Sequence, residues 1–317
     1  MATQGKPRWY KPDAGLAARM VLTMFLLGLV YVAFAAVLAW LKVPWPLLVI
    51  GALAIAGFQL FFSDKIALAS MKAQYVDEQQ APQLHDMIGR LAAQANLPKP
   101  KIAMVETAIP NAFATGRDAN HAVIAITSGL LEGNGLSQPE IEAVVAHELT
   151  HIINKDMLVM TIATFFSMIA ALIVRSFMWG AMFGGYGGGY GRRNNNDNSG
   201  MVVLIAILAS VVTYVISFIL IRALSRYREL AADRGSALIT GAPEHLASAL
   251  MRISGAIEGG RIPQQDFRQA QTVNALFIVP ALRGDSLATL FSTHPSLEQR
   301  LAQLQQMQRQ MEGAQNL

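Results

Sequence analysis

The sequence predicts a mainly α membrane protein, with four transmembrane helices and an α+β domain on the cytosolic side that contains a small sheet. Three observations predict this class. Of the 317 residues, 53% are hydrophobic and only 15% are charged, where a soluble chain carries about a quarter charged residues. The apolar excess is concentrated in four long runs rather than spread along the chain. Between and after those runs lie two polar segments with helix and strand patterning of their own.

The runs come first. Met20 to Leu41 contains no charged residue, and Val43 to Phe62 has Gln59 as its sole strongly polar side chain. Each is long enough to cross a hydrocarbon core of about 30 Å as a helix. The residues Lys42, Val43, Pro44, Trp45 and Pro46 join them as a tight hairpin with an interfacial Trp. The third run, Met157 to Val174, is near the lower length limit; Arg175 beyond it can snorkel and Trp179 can sit at the headgroups. The fourth, Met201 to Ile221, is uncharged and ends at Arg222. For the third and fourth runs the alternative is a buried core helix of a soluble domain, or a helix partly sheltered from lipid by protein. A cleavable signal peptide is not expected at the start, because the first run is too long and a second follows at once.

Lys6, Arg8, Lys11 and Arg19 precede the first run, whereas Lys42 stands alone after it. The positive-inside bias puts the N-terminus in the cytosol. The expected division is residues 1–19 as a cytosolic segment, 20–62 as a transmembrane hairpin, and 63–156 as a first cytosolic part. A second hairpin, 157–222, and a second cytosolic part, 223–317, follow. Arg192 and Arg193 in the loop 184–200 mildly oppose this orientation. That loop is Gly/Asn-rich and reads as a flexible connector. Its glycines lack the Lys-Ser/Thr of a phosphate loop, so no nucleotide is expected. The formal charge of +4 comes without a basic stripe, so no nucleic acid is expected either. No cysteine is present, which excludes disulfides, thiolate ligands and a cysteine nucleophile.

Within 63–156, Leu84, Met87, Ile88 and Leu91 recur at helical spacing, which predicts a helix over Gln80 to Ala95. Lys101 to Val105 and Ala122 to Ile126 are short β-prone runs with Pro110 to Gly116 between them, a sheet of about three strands. Ser137-Gln138-Pro139-Glu140 has the form of a capping box and starts a helix that reaches about Asn154.

That helix carries His147-Glu148-Leu149-Thr150-His151. Residues four apart share a helix face, so His147 and His151 can present two imidazoles to one metal ion. Glu148, one position round, can reach a water bound to it. The flanks Val144-Val145-Ala146 and Ile152-Ile153 bury this helix, and buried imidazoles beside a carboxylate need a partner to offset desolvation. The pattern needs a third ligand from elsewhere. After the fourth run, Glu229 and Asp233 are four apart. Glu229 is the best third ligand, and Asp233 can hydrogen-bond a ligand imidazole. By spacing alone, both fit equally well as ion-pair partners of Arg226 or Arg228 on a solvated helix.

Ala146 to His151, with Ser225-Arg226 through Asp233, resembles the HtpX family of bacterial membrane zinc metallopeptidases, which are similar to the CAAX prenyl endopeptidases of eukaryotes. Asn111 to Gly116 and Ser292-Thr293-His294-Pro295 resemble further motifs of that family. The resemblance covers nearly the whole chain; the Gly/Asn-rich loop departs from it. It implies a zincin-like catalytic domain and one Zn2+ per chain held by His147, His151 and Glu229, with Glu148 as base. It also implies a cytosol-facing site at the bacterial inner membrane, acting on misfolded or damaged membrane proteins in quality control and stress response. The expected partners are therefore protein or peptide substrates and the lipid bilayer.

His294 reads either as an oxyanion or substrate hydrogen-bond donor or as a residue at a helix entry. Asn111 and the strand after it read either as an edge that pairs with substrate backbone or as an ordinary turn, and the resemblance favours the edge. His85, His121 and His245 read as surface or packing residues. Leu297, Leu301, Leu304 and Met307 predict an amphipathic C-terminal helix that docks on the domain or oligomerises the chain; the oligomeric state is not legible. Besides the cytosolic-surface peptidase, intramembrane zinc cleavage is disfavoured because Asn154, Lys155 and Asp156 close the metal helix before the third run. A non-catalytic scaffold is the remaining alternative.

Overall fold

The computed structural model describes residues 13–41, 45–133, 135–182, 199–259, 278–279 and 293–315. The hairpin residues 42–44, the loop residues 183–198 and most of 260–292 lie outside the described residues.

The first two apolar runs are α1 (Ala14–Trp40) and α2 (Trp45–Ser70). Asp13 caps α1, its carboxylate accepting from the Leu16 N–H at 2.8 Å. Helix α2 continues past the apolar run, through Asp64 and Lys65, so it carries the chain directly into the polar domain. The third run is α5 (Asp156–Met182) and the fourth opens α6 (Ser199–Thr240). With no Gly or Pro from Met201 to Arg234, nothing interrupts α6, and apolar run and Glu229–Asp233 segment form one helix. Among the described residues three helices are long and apolar enough to cross a membrane: Ala14–Trp40, Val49–Ser70 and Leu204–Thr240. Among the described residues α5 contributes a shorter apolar stretch, Asp156–Phe165. The four helices pack together, α1 and α5 both against α6 and α2 against α5, and the Tyr31 hydroxyl donates to the Ala163 carbonyl across α1 and α5.

Among the described residues the polar domain has four strands, where about three were expected. β1 (Gln74–Tyr75), β2 (Lys101–Val105), β3 (Ala112–Thr115) and β4 (Val123–Thr127) form one sheet in the order β1-β2-β4-β3. β2 and β4 pair in parallel, while β1 and β3 pair antiparallel on either edge. β4 is buried throughout, as a central strand covered on both faces should be. Helices α3 (Pro82–Gln94) and α4 (Gln138–Ile153) pack together. Their apolar faces share one core with α7 (Pro243–Glu258) and α8 (Leu297–Gln315): Ile88, Leu91, Ile124, Val144, Leu149, Leu246, Ile253 and Leu304. The C-terminal helix is therefore docked on the domain.

α4 begins at the capping box, where the Ser137 N–H donates to the Glu140 carboxylate at 2.6 Å. It ends at Asn154, and Lys155, at φ 55°, turns the chain into α5. α4 and α6 approach closely. Ser236 Oγ donates to the Ala143 carbonyl at 2.6 Å, and at Gly235 an added Cβ would stand 2.3 Å from the Thr150 side chain. A residue without Cβ is what lets the two helices reach this separation.

Candidate metal centre

α4 and α6 bring their polar side chains to one point. His147 Nε2 and His151 Nε2 are 3.2 Å apart, and the Glu229 carboxylate lies 3.6 Å from the first and 3.5 Å from the second. All three residues are buried or nearly so. Each imidazole has a carboxylate behind it. His147 Nδ1 is 2.9 Å from Asp233 Oδ1, and His151 Nδ1 is 2.6 Å from Asp156 Oδ2. A carboxylate at Nδ1 holds the proton there, which leaves Nε2 as a lone-pair donor. Two such lone pairs facing each other at 3.2 Å, with a carboxylate oxygen alongside, call for a cation among them. Around zinc, three tetrahedral ligand atoms at the usual bond lengths lie roughly 3.3–3.4 Å apart, so this donor set fits that ion without rearrangement.

The supporting residues are buried as well. Arg300 of α8 is 2% exposed and holds Asp233 with both prongs, Nε to Oδ2 at 2.8 Å and Nη2 to Oδ1 at 2.6 Å. Arg228 Nε lies 3.1 Å from Asp156 Oδ1. The ion pairs that spacing alone offered to Glu229 and Asp233 therefore have other members: Arg228 faces Asp156, and Asp233 faces Arg300. Sequence reasoning passed over both Arg300 and Asp156. The signal for Arg300 was present, since it falls on the same helix face as Leu297, Leu301 and Leu304, and a cation on a buried face needs a carboxylate. For Asp156 no local signal distinguished a helix-entry residue from a partner of His151.

Electrostatics follow from this packing. Burial would lower the basicity of His147, but Asp233 and Glu229 outweigh it and raise its pKa to about 9, so a metal ion that takes the Nε2 lone pair must displace a proton from it. Burial would raise Glu229, yet His294, His147 and His151 hold it well below the ordinary carboxylate range. Asp233 and Asp156 are likewise lowered against their burial, the one chiefly by Arg300 and the other chiefly by Arg228. Glu148 goes the other way. Burial pushes its carboxyl up and the Glu229 charge adds to this, against the two imidazoles and a hydrogen bond from the Ala114 N–H at 2.8 Å. A carboxylate with raised pKa beside a metal site suits proton transfer near neutral pH.

Glu148 thus hydrogen-bonds the edge strand β3 and stands beside the imidazole pair; the ligating atoms of His147, Glu148 and His151 lie within 4.8 Å of one another. A cavity of about 300 Å³ opens here, lined by β3, the start of α5, and Thr293 and His294. His294 is 7% exposed with Nδ1 3.1 Å from Glu229 Oε2. Asn111 is fully buried behind β3. Its Oδ1 accepts from the Ile278 N–H at 2.9 Å, and its backbone pairs with Thr127. Its side chain is not among those lining the cavity. The remaining histidines lie elsewhere: His85 against the Val76 carbonyl, His121 with Asp118, and His245 on α7.

This is the site architecture of a metallopeptidase built on a helical membrane scaffold. The model of peptidase family M48 matches residues 78–308, and the chain belongs to that family. It is 51% identical over 301 residues to a protein named Protease HtpX homolog from Moorella thermoacetica, spanning 95% of this chain and 97% of that one. It is also 51% identical over 307 residues to Protease HtpX homolog 2 from Methanosarcina acetivorans, spanning 96% and 99%. Among solved structures, the crystal structure of S. mikatae Ste24p shares the fold, with a TM-score of 0.54 over 92% of this chain and 67% of the other at 18% identity. The protein is a membrane metalloprotease, and its substrates are proteins.

Proposed function

We propose that this is a zinc-dependent endopeptidase of the bacterial inner membrane with four spans and a cytosol-facing site, acting on misfolded or damaged membrane proteins. Residues 20–62 and 157–222 would be its two transmembrane hairpins, with 1–19, 63–156 and 223–317 in the cytosol. One observation carries the reading: the imidazoles of α4 and the carboxylate of α6 converge to 3.2–3.6 Å of one another with a carboxylate behind each ring.

His147, His151 and Glu229 would hold one Zn2+. When bound, zinc polarises a peptide carbonyl and brings the pKa of a coordinated water toward about 7. Glu148, already displaced upward in pKa, takes the proton of the attacking water and delivers it to the leaving amine. Asp233 and Asp156 keep the imidazole protons on Nδ1. His294, at the cavity wall, donates a hydrogen bond to the carbonyl oxygen as charge builds on it. Among the described residues strand β3 is a sheet edge, and an extended substrate chain can add to it beside Glu148; Asn111 would serve by fixing that strand from behind.

The test is hydrolysis of an unfolded protein in detergent by wild type and Glu148→Gln. The expected result is cleavage by wild type that a chelator stops, and none by the variant. Full activity in Glu148→Gln would remove it as the base and favour a scaffold whose metal is structural.

A further inference from the structure

Gln59 has no part in the site described above, yet it lines the same cavity. It is the sole strongly polar side chain of the apolar run Val43 to Phe62 and stands three residues before that run's last residue, about 4.5 Å inside its end. Its side chain is exposed, and among the described residues it has no hydrogen-bond partner. An unpartnered amide at hydrocarbon depth costs several kcal/mol, on the order of a lost buried hydrogen bond or more. It is tolerated where it faces water or a polar guest, and the cavity supplies such a place.

The surroundings connect it to the chemistry. Met157 and Met160, on the first two turns of α5, line the cavity with it, as do Phe113 and Ala114 of β3. The Arg117 guanidinium, just past β3, lies 5.4 Å over the Phe61 ring and holds the edge strand against α2. The cleft therefore runs without interruption from the Glu148 carboxylate, past the edge strand, to side chains within one helical turn of the apolar boundary.

We infer that Gln59 determines specificity: its amide hydrogen-bonds the backbone of a substrate strand where that strand leaves the bilayer. The cleft thereby selects chains whose scissile bond lies close to a transmembrane segment. Met157 and Met160 complete this wall with unbranched, adaptable side chains that fit the varied apolar residues of such a segment. The inference rests on the protease reading above.

The experiment uses the full chain in liposomes and two substrates sharing one cleavable sequence, a free peptide and the same sequence fused directly to a transmembrane helix. Wild-type cleavage of the free peptide, abolished in Glu148→Gln, checks the protease reading separately. Leucine is at home in a membrane span, so Gln59→Leu tests the amide without threatening the fold. The ratio of kcat/KM for anchored over free substrate is expected to fall at least fivefold in Gln59→Leu, through KM of the anchored substrate, and to recover in Gln59→Asn. An unchanged ratio, whether both rates hold or both fall together, overturns the inference. A fall carried by kcat alone also overturns it.

Discussion

Replacing Gly235 by Ala should damage metal binding although the atoms nearest the new methyl group would belong to Thr150 and not to a proposed ligand. The new Cβ would meet Thr150 Cγ2 and Oγ1 at 2.3 Å and Thr150 Cβ at 2.8 Å. Ordinary carbon contacts begin near 3.5 Å, so the overlap is roughly 1.2 Å. Rotating Thr150 about its first torsion does not cure this, because its own Cβ is already too close. The helices must separate, and a displacement of about 1 Å would carry Glu229 from 3.5–3.6 Å to roughly 4.5 Å from the imidazoles. Metal sites tolerate about 0.2 Å. The expected cost is at least tenfold in zinc affinity, together with about 1–3 kcal/mol of stability from overpacking. Competition against a chromophoric chelator in detergent and thermal unfolding of the same sample measure both. Thr150→Ala/Gly235→Ala removes the two 2.3 Å contacts and leaves the 2.8 Å one, so it should recover part of each loss. Thr150→Ala alone should cost about 1 kcal/mol or less, since it removes one hydrogen bond to the Ala146 carbonyl. Wild-type zinc affinity in Gly235→Ala would refute the close approach of α4 and α6.

Two further outcomes follow from the buried charges. Arg300→Met should cost about 3–5 kcal/mol, because it strands the Asp233 carboxylate in the core; Asp233→Asn/Arg300→Met should lose less, and denaturant unfolding distinguishes them. Glu140 gives a pH dependence: burial would raise its carboxyl, but Ser248, Ser137 and Arg252 hold it below 4.5. A depressed folded-state value means that its contribution is complete above about pH 4.5 and is lost as pH falls through the folded value. The melting temperature of wild type should therefore drop more steeply below pH 4.5 than that of Glu140→Gln, and parallel profiles would contradict this.

Much of the site was legible because its signals are local. The capping box fixed where α4 starts, and a four-residue spacing placed two imidazoles on one face. Uninterrupted apolar runs located the long helices. What was not legible depends on distant partners. β1 has two residues and no periodicity to read. α7 went unread although Pro243 with Leu246, Leu250 and Ile253 has helical form. Which carboxylate stands behind which imidazole is settled by how α8 and the start of α5 fold back on the site, and no spacing along the chain reports that. The most useful unread residue was Arg300, a cation on an apolar helix face.

In the proposed function one zinc site is assembled from α4, which precedes the second pair of apolar helices, and from the C-terminal part of α6, the second helix of that pair. Zinc content per chain, measured by atomic emission after purification in detergent, tests it most directly when the proteolytically silent Glu148→Gln is the background. The expected values are one zinc per chain in Glu148→Gln and a loss of most of it in Glu148→Gln/Glu229→Ala. Undiminished zinc in the double variant would show that α6 supplies no ligand and would contradict the account.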